Sequence, residues 1–204
     1  MLKGFFIFIF CIFFGKIFFA QSDSAKVFNP KEEIALDGKR YRVHNSWLSV
    51  GAGAGYNTKW PKDEKNIGAD FTFYIKQYHF RIGGFMSGAN FTASNNYSFH
   101  LCYGWRKEAE KYNLSAFIGP SNSYFRRPLS DSSNYNLATV YSQVGAHACV
   151  EAVYKFKYDV GLGGQIFCDY NQVQMVYGVR LIAYFSGAYR GIKYGYHAPA
   201  KKKK

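Results

Sequence analysis

At 204 residues the chain is long enough for one domain with a full core and too short for two comfortable ones. Aromatic residues make up 20% of it, with 20 Phe, 18 Tyr and 20 Gly against only 5 Pro, which points to strands that are apolar on one face. The formal net charge of +13 would favour nucleic-acid binding in a cytosolic protein. An export signal, dispersed charges and the lack of a recognition-helix pattern exclude that partner here.

The export signal comes first. Lys3 gives a positive start, Phe5 to Phe14 is a nearly pure run of Phe and Ile, and Lys16 and Ile17-Phe18-Phe19-Ala20 precede the polar Gln21-Ser22-Asp23-Ser24. This predicts a signal peptide over 1–20 with cleavage after Ala20, although Phe18 is larger than the usual residue at its position. A membrane-spanning helix would need about 20 apolar residues, and this run is shorter and interrupted by Lys16. Cys11 leaves with the signal. The remaining Cys102, Cys149 and Cys168 are odd in number and lack Cys-x-x-Cys spacing, so neither a disulfide framework nor a zinc site is expected. No metal and no cofactor is implied.

Residues 21–44 read as a polar N-terminal extension on the periplasmic side, containing Asn29-Pro30-Lys31-Glu32-Glu33. From 45 to 186 the dominant signal is a period of two, the separation of faces that a strand makes. Leu48, Val50, Ala52, Ala54 and Tyr56 alternate with Trp47, Ser49, Gly51, Gly53 and Gly55; Phe71, Phe73 and Ile75 oppose Asp70, Thr72 and Tyr74. Phe80, Ile82 and Met86 then oppose His79, Arg81 and Ser87. The clearest case is Tyr97, Phe99, Leu101, Tyr103 and Trp105 against Ser98, His100, Cys102, Gly104 and Arg106. Tyr112, Leu114, Ala116 and Ile118 oppose Asn113, Ser115 and Gly119, with Phe117 as an intruder. The last three are Val144 to Phe156 against Gln143 to Lys155, Val160 to Tyr170 against Asp159 to Asp169, and Tyr177 to Phe185 against Gly178, Arg180 and Tyr184.

These give eight strands of about ten residues, an even number and a length that crosses a bilayer when tilted. The connections alternate: long at Thr58 to Asn66, Ala89 to Asn96 and Pro120 to Tyr135, tight at Gln77-Tyr78, Arg106 to Lys111 and Lys157-Tyr158, with a short final loop around Gln172. Membrane barrels alternate in this way between outer loops and periplasmic turns. Residues 187–204 form a basic tail ending in Lys201-Lys202-Lys203-Lys204.

A soluble barrel would also alternate, with its apolar side inward. Three features favour the opposite orientation. The polar faces carry Gly, Ser and single charges suited to a narrow lumen; the apolar faces are almost free of charge; and rings gather near strand ends, where interface girdles belong. On these segments the chain, over about residues 45 to 186, resembles the small eight-stranded outer-membrane barrels of the OmpA/OmpX type. The resemblance implies an all-β, antiparallel, up-and-down transmembrane barrel in the outer membrane of a Gram-negative cell. Members usually close on a terminal aromatic residue, whereas here Phe185 is followed by the basic tail.

In such a barrel Arg81, His100, His147, Glu151, Gln165, Asp169 and Arg180 point into the lumen and should pair with one another. Tyr97, Tyr103, Trp105, Tyr154, Phe156, Tyr177 and Phe185 form the interface rings. The expected role is non-enzymatic: structural, adhesive or complex-forming. Outer-membrane lipid or lipopolysaccharide and an outer-membrane or periplasmic protein are the expected partners. A narrow channel for small solutes, gated through His100 or His147, is the first alternative. A lipid A-modifying enzyme is the second, and its nearest pieces, His147 and Glu151, lack a serine between them. Gly51-Ala52-Gly53-Ala54-Gly55 has no Lys-Ser/Thr after it and is not a phosphate loop. Asn90-Phe91-Thr92 and Asn96-Tyr97-Ser98 match a glycosylation pattern with little meaning in a bacterium.

Overall fold

The structure is a computed structural model that describes residues 31–59, 63–88, 94–127 and 139–192. The expected signal segment, the four-lysine run and Asn90 lie outside the described residues. Two short strands come first, β1 (Glu33–Leu36) and β2 (Lys39–Arg42). Eight longer ones follow: β3 (Trp47–Asn57), β4 (Asp63–Ile75), β5 (Tyr78–Gly88), β6 (Ser94–Glu108), β7 (Tyr112–Arg127), β8 (Thr139–Lys157), β9 (Val160–Asn171) and β10 (Met175–Ser186). A last short strand, β11, spans Tyr189–Ile192.

Strands β3 to β10 pair in chain order, every pair antiparallel, and β10 returns to β3 to close the barrel. The closing seam runs from Val176↔Asn57 to Ser186↔Trp47, so no barrel strand is left with a free edge along this stretch. The expected faces are the observed ones. In β3, Trp47, Ser49 and Gly51 are buried while Leu48, Val50 and Ala52 are exposed. Phe117, out of phase in the sequence, points into the lumen with the polar residues, with none of its surface exposed. The lumen therefore holds apolar side chains as well as charges.

Three expected loops shrink. Strand β4 starts at Asp63, β6 starts at Ser94 and β7 runs through Pro120 to Arg127. Proline suggests a break because it lacks an N–H. Here the cost stays local: the β6–β7 register passes from His100↔Ser121 to Tyr103↔Ile118 with only the intervening pairs missing, and β8 still pairs Pro120↔Ala146. The tight turns lie at 76–77 and 158–159, one residue away from expectation. Their end is called the turn end here, and the opposite end, with the longer connections, the loop end.

Both flanks of the barrel carry strands that the sequence reading left unassigned. Strand β2 pairs with β1 on one side and β11 on the other, making a three-stranded sheet from the two ends of the chain. The β1–β2 hairpin turns on Asp37 (φ 48°) and Gly38 (φ 74°), an Asp-Gly pair in the left-handed geometry such two-residue turns require. The sheet sits at the turn end. Tyr41 packs on Tyr158 at 5.2 Å and with Ala188 forms a buried cluster flanked by Ile34 and Leu36. Burial pushes the phenols of Tyr41 and Tyr158 above their ordinary range.

Candidate functional site

Alternation turns every second position of eight strands inward, many of them polar, and the lumen they share must satisfy those polar groups internally. At the turn end Glu108 faces Arg106 Nη2 at 2.8 Å and Lys155 Nζ at 2.9 Å. Arg106 also donates to Asn113 Oδ1 and to the Tyr184 hydroxyl, and its guanidinium lies 4.2 Å over the Trp47 ring. Above this layer Trp47 meets Phe117 and Tyr184, each at 6.2 Å, and all three rings are fully buried.

Arg81 stacks on the far side of Phe117 at 4.0 Å and opens the central layer. It donates to Glu151 and to Thr72 Oγ1, and its Nη1 lies 3.7 Å from Asp70 Oδ2. Gln165 Nε2 bridges Asp70 and Glu151, and its carbonyl oxygen accepts from Arg180 Nη1 at 2.9 Å. His100 Nε2 contacts Asp70 Oδ1 at 2.9 Å, while His147 Nδ1 contacts Asp169 Oδ2 at 3.2 Å. The two imidazoles stack face to face, with centroids 3.9 Å apart and ring planes 3° from parallel. Ser98 and Ser123 hydroxyls complete Asp169. Toward the loop end Phe85 and Phe167 touch at 5.0 Å beside Arg180, and beyond them Glu64, Ser87, Asn96, Gln174 and Asn57 form a chain of hydrogen bonds.

All seven expected lumen residues thus lie inside the barrel, at most 3% exposed, and join one network. The residue missing from that set is its hub, Asp70, which contacts Arg81, His100 and Gln165. Its place on the polar face of β4 was readable by parity alone. His147 and Glu151 do not form a pair, since His147 takes Asp169 and Glu151 takes Arg81, Ser115 and Gln165. Among the described residues no group of three or more His, Cys, Asp or Glu is arranged to hold a metal ion. Gly51 to Gly55 lie within β3.

Outside, the aromatic residues fall into two bands. Tyr103, Trp105, Tyr154, Phe156 and Phe185 stand near the turn end, joined by contacts such as Tyr112–Tyr154 at 5.6 Å, Phe80–Tyr103 at 5.7 Å and Phe73–Phe80 at 5.9 Å. Tyr97 and Tyr177 stand near the loop end, where Tyr177 meets Tyr56 at 5.5 Å and Phe99 meets Tyr124. Between the bands the exposed positions are mostly aliphatic, among them Val50, Ile82, Leu101, Val150, Ile166 and Leu181, with Phe71 beside Ile82. Tyr177 and Phe185 are eight residues apart on β10, roughly 20 Å along the barrel axis at a tilt of about 40°.

No family model and no curated protein matches the chain. Solved structures do. Neisserial surface protein A (NspA) aligns with TM-score 0.56 and 10% identity over 69% of this chain and 96% of its own. The N-terminal β-barrel domain of Pseudomonas aeruginosa OprF aligns with TM-score 0.53 and 10% identity over 70% and 98%. The fold is that of the small eight-stranded outer-membrane β-barrels. Ail, the attachment invasion locus protein of Yersinia pestis, aligns as well, with TM-score 0.50 and 10% identity over 72% of this chain and 97% of its own. An outer-membrane barrel of this size accounts for both bands of rings and for the charges inside, because a lipid surround reverses the usual distribution of polarity.

Proposed function

We propose that the chain is a non-enzymatic integral protein of the outer membrane, with its N-terminal extension and tight turns in the periplasm and its longer loops outside. There it serves a structural, adhesive or complex-forming role through those loops, in contact with outer-membrane lipid or lipopolysaccharide and with a neighbouring outer-membrane or periplasmic protein. The observation that carries the membrane reading is the inversion of polarity. Arg81, Glu151 and His147 are completely buried, whereas Leu181 is 70% and Ile166 65% exposed between two aromatic bands. A soluble barrel would have no reason to hide its charges and show its leucines.

The packed lumen supports a non-conducting role over the narrow channel. Trp47, Phe117 and Tyr184 stand between the two charged layers and are at most 1% exposed. Leu181→Arg tests the membrane reading. In phospholipid vesicles it should cost about 2–4 kcal/mol, the penalty of a cation near mid-bilayer, whereas on a water-facing surface it would change stability by less than about 0.5 kcal/mol. A cost within that smaller range, measured from urea-unfolding midpoints, would refute the proposal. Planar-bilayer recordings of the wild-type barrel should show no sustained current, and a steady open level would favour the channel.

A further inference from the structure

Each tight turn of the barrel presents lysine immediately beyond the turn-end aromatic band. The turn between β4 and β5 carries Lys76, the one between β6 and β7 is flanked by Lys107 and contains Lys111, and β8 ends on Lys157; all four are exposed. On β6, Tyr103, Trp105 and Lys107 occupy successive outward positions, and on β8 the outward Tyr154 and Phe156 are followed directly by Lys157. The acids nearby do not cancel these charges. Glu108 is turned into the lumen against Arg106 and Lys155, Asp159 is half-buried, and Glu110 is the exposed carboxylate of these turns.

We propose that this collar binds the phosphates of anionic glycerophospholipids in the leaflet at the turn end. The inference rests on the membrane-spanning reading above. Three properties select this partner over a soluble anion. The aromatic band marks the depth of the headgroups, and a lysine one position further lays its aliphatic stem along the rings and its ammonium at the phosphate level. The lysines are spread along the rim on successive hairpins, about 10 Å from one turn to the next at the usual strand spacing. Such a spread matches a plane of separate headgroups and not one compact ligand. Each lysine near an anionic surface adds to attraction that falls off within a Debye length.

The test uses the full mature chain refolded into phosphatidylcholine vesicles with and without phosphatidylglycerol, at low ionic strength, with the urea midpoint as readout. Phosphatidylglycerol should raise the midpoint of the parent, and 1 M salt should abolish the gain. Replacing Lys76, Lys107, Lys111 and Lys157 by Gln should remove most of it, at roughly five-fold in the folding constant per lysine. Should the quadruple variant fail to insert, Lys107→Gln and Lys157→Gln singly should each lose a proportionate share. The loop-end variants Lys59→Gln and Lys65→Gln should keep the full gain. The proposal is overturned if the collar variants gain as much as the parent, or if the loop-end variants lose the effect instead. A parent that inserts in both lipids with equal midpoints sinks this inference alone, and one that inserts in neither sinks the membrane reading beneath it.

Discussion

The Arg81–Glu151 pair offers the sharpest test of how the lumen is held together. Both side chains are fully buried, so water screens neither charge. Arg81→Met removes the bonds to Glu151, Thr72 Oγ1 and Cys149 Sγ, and the guanidinium beside Asp70. Glu151 keeps Ser115 and Gln165, and Asp70 keeps His100 and Gln165, so both carboxylates retain hydrogen-bond partners but lose this guanidinium. Breaking a buried pair from one side costs about 3–5 kcal/mol, and Glu151→Gln, which strands Arg81 beside Asp70, should cost about 3 kcal/mol by the same reasoning. The double variant removes both charges and should be no worse than the milder single one, giving a coupling energy of at least about 3–5 kcal/mol in magnitude. Urea unfolding in vesicles, with unchanged slopes so that midpoints report stability, measures all four corners of the cycle. Additive single effects, with coupling below about 0.5 kcal/mol, would refute a central ion pair that stabilises the barrel.

Further expectations follow from close packing and from the sheet at the turn end. A Cβ on Gly83 would stand 2.1 Å from Asp70 Oδ1 and 2.7 Å from the Ala69 carbonyl, so Gly83→Ala should destabilise by about 1–3 kcal/mol in the same unfolding assay; an unchanged midpoint would count against a packed lumen. Tyr41→Ala removes the ring that touches Tyr158 and Tyr189 and should speed amide exchange across 33–42 and 189–192, leaving barrel amides protected. Equal loss of protection throughout would mean that sheet and barrel unfold as one. Cys102 and Cys149 are buried in the lumen and should resist a water-soluble maleimide until the barrel unfolds. Rapid labelling of either in the folded protein would indicate a wet, open lumen.

Much of this architecture was legible from one residue type at a time. A period of two over Leu48–Tyr56, Tyr97–Arg106 and Val144–Phe156 fixes which side chains share a face, because strand geometry leaves no other choice. The polar set Arg81, His100, His147, Glu151, Gln165, Asp169 and Arg180 could be placed inside on that ground. Alternation is a local property, and it is blind to how far a strand continues. Pro120 looked like a boundary, yet β7 passes through it because β8 supplies a complete partner. The hairpin at Asp37-Gly38 went unassigned, since its short strands are completed by β11, more than a hundred residues away, and by Tyr158.

The amino-acid order by itself determined the eight barrel strands, the facing of their side chains and the inversion of polarity, since all three follow from the backbone's two-residue repeat and the solvation of single residues. Only the closed tertiary structure decided which lumen groups meet: Asp70 as hub, the stacked His100 and His147, and Phe117 between Trp47 and Arg81. Apart from Asp70–Arg81 on neighbouring strands, those contacts join strands two to four places apart around the closed barrel. They depend on its closure and stagger, global quantities that no local window of sequence contains.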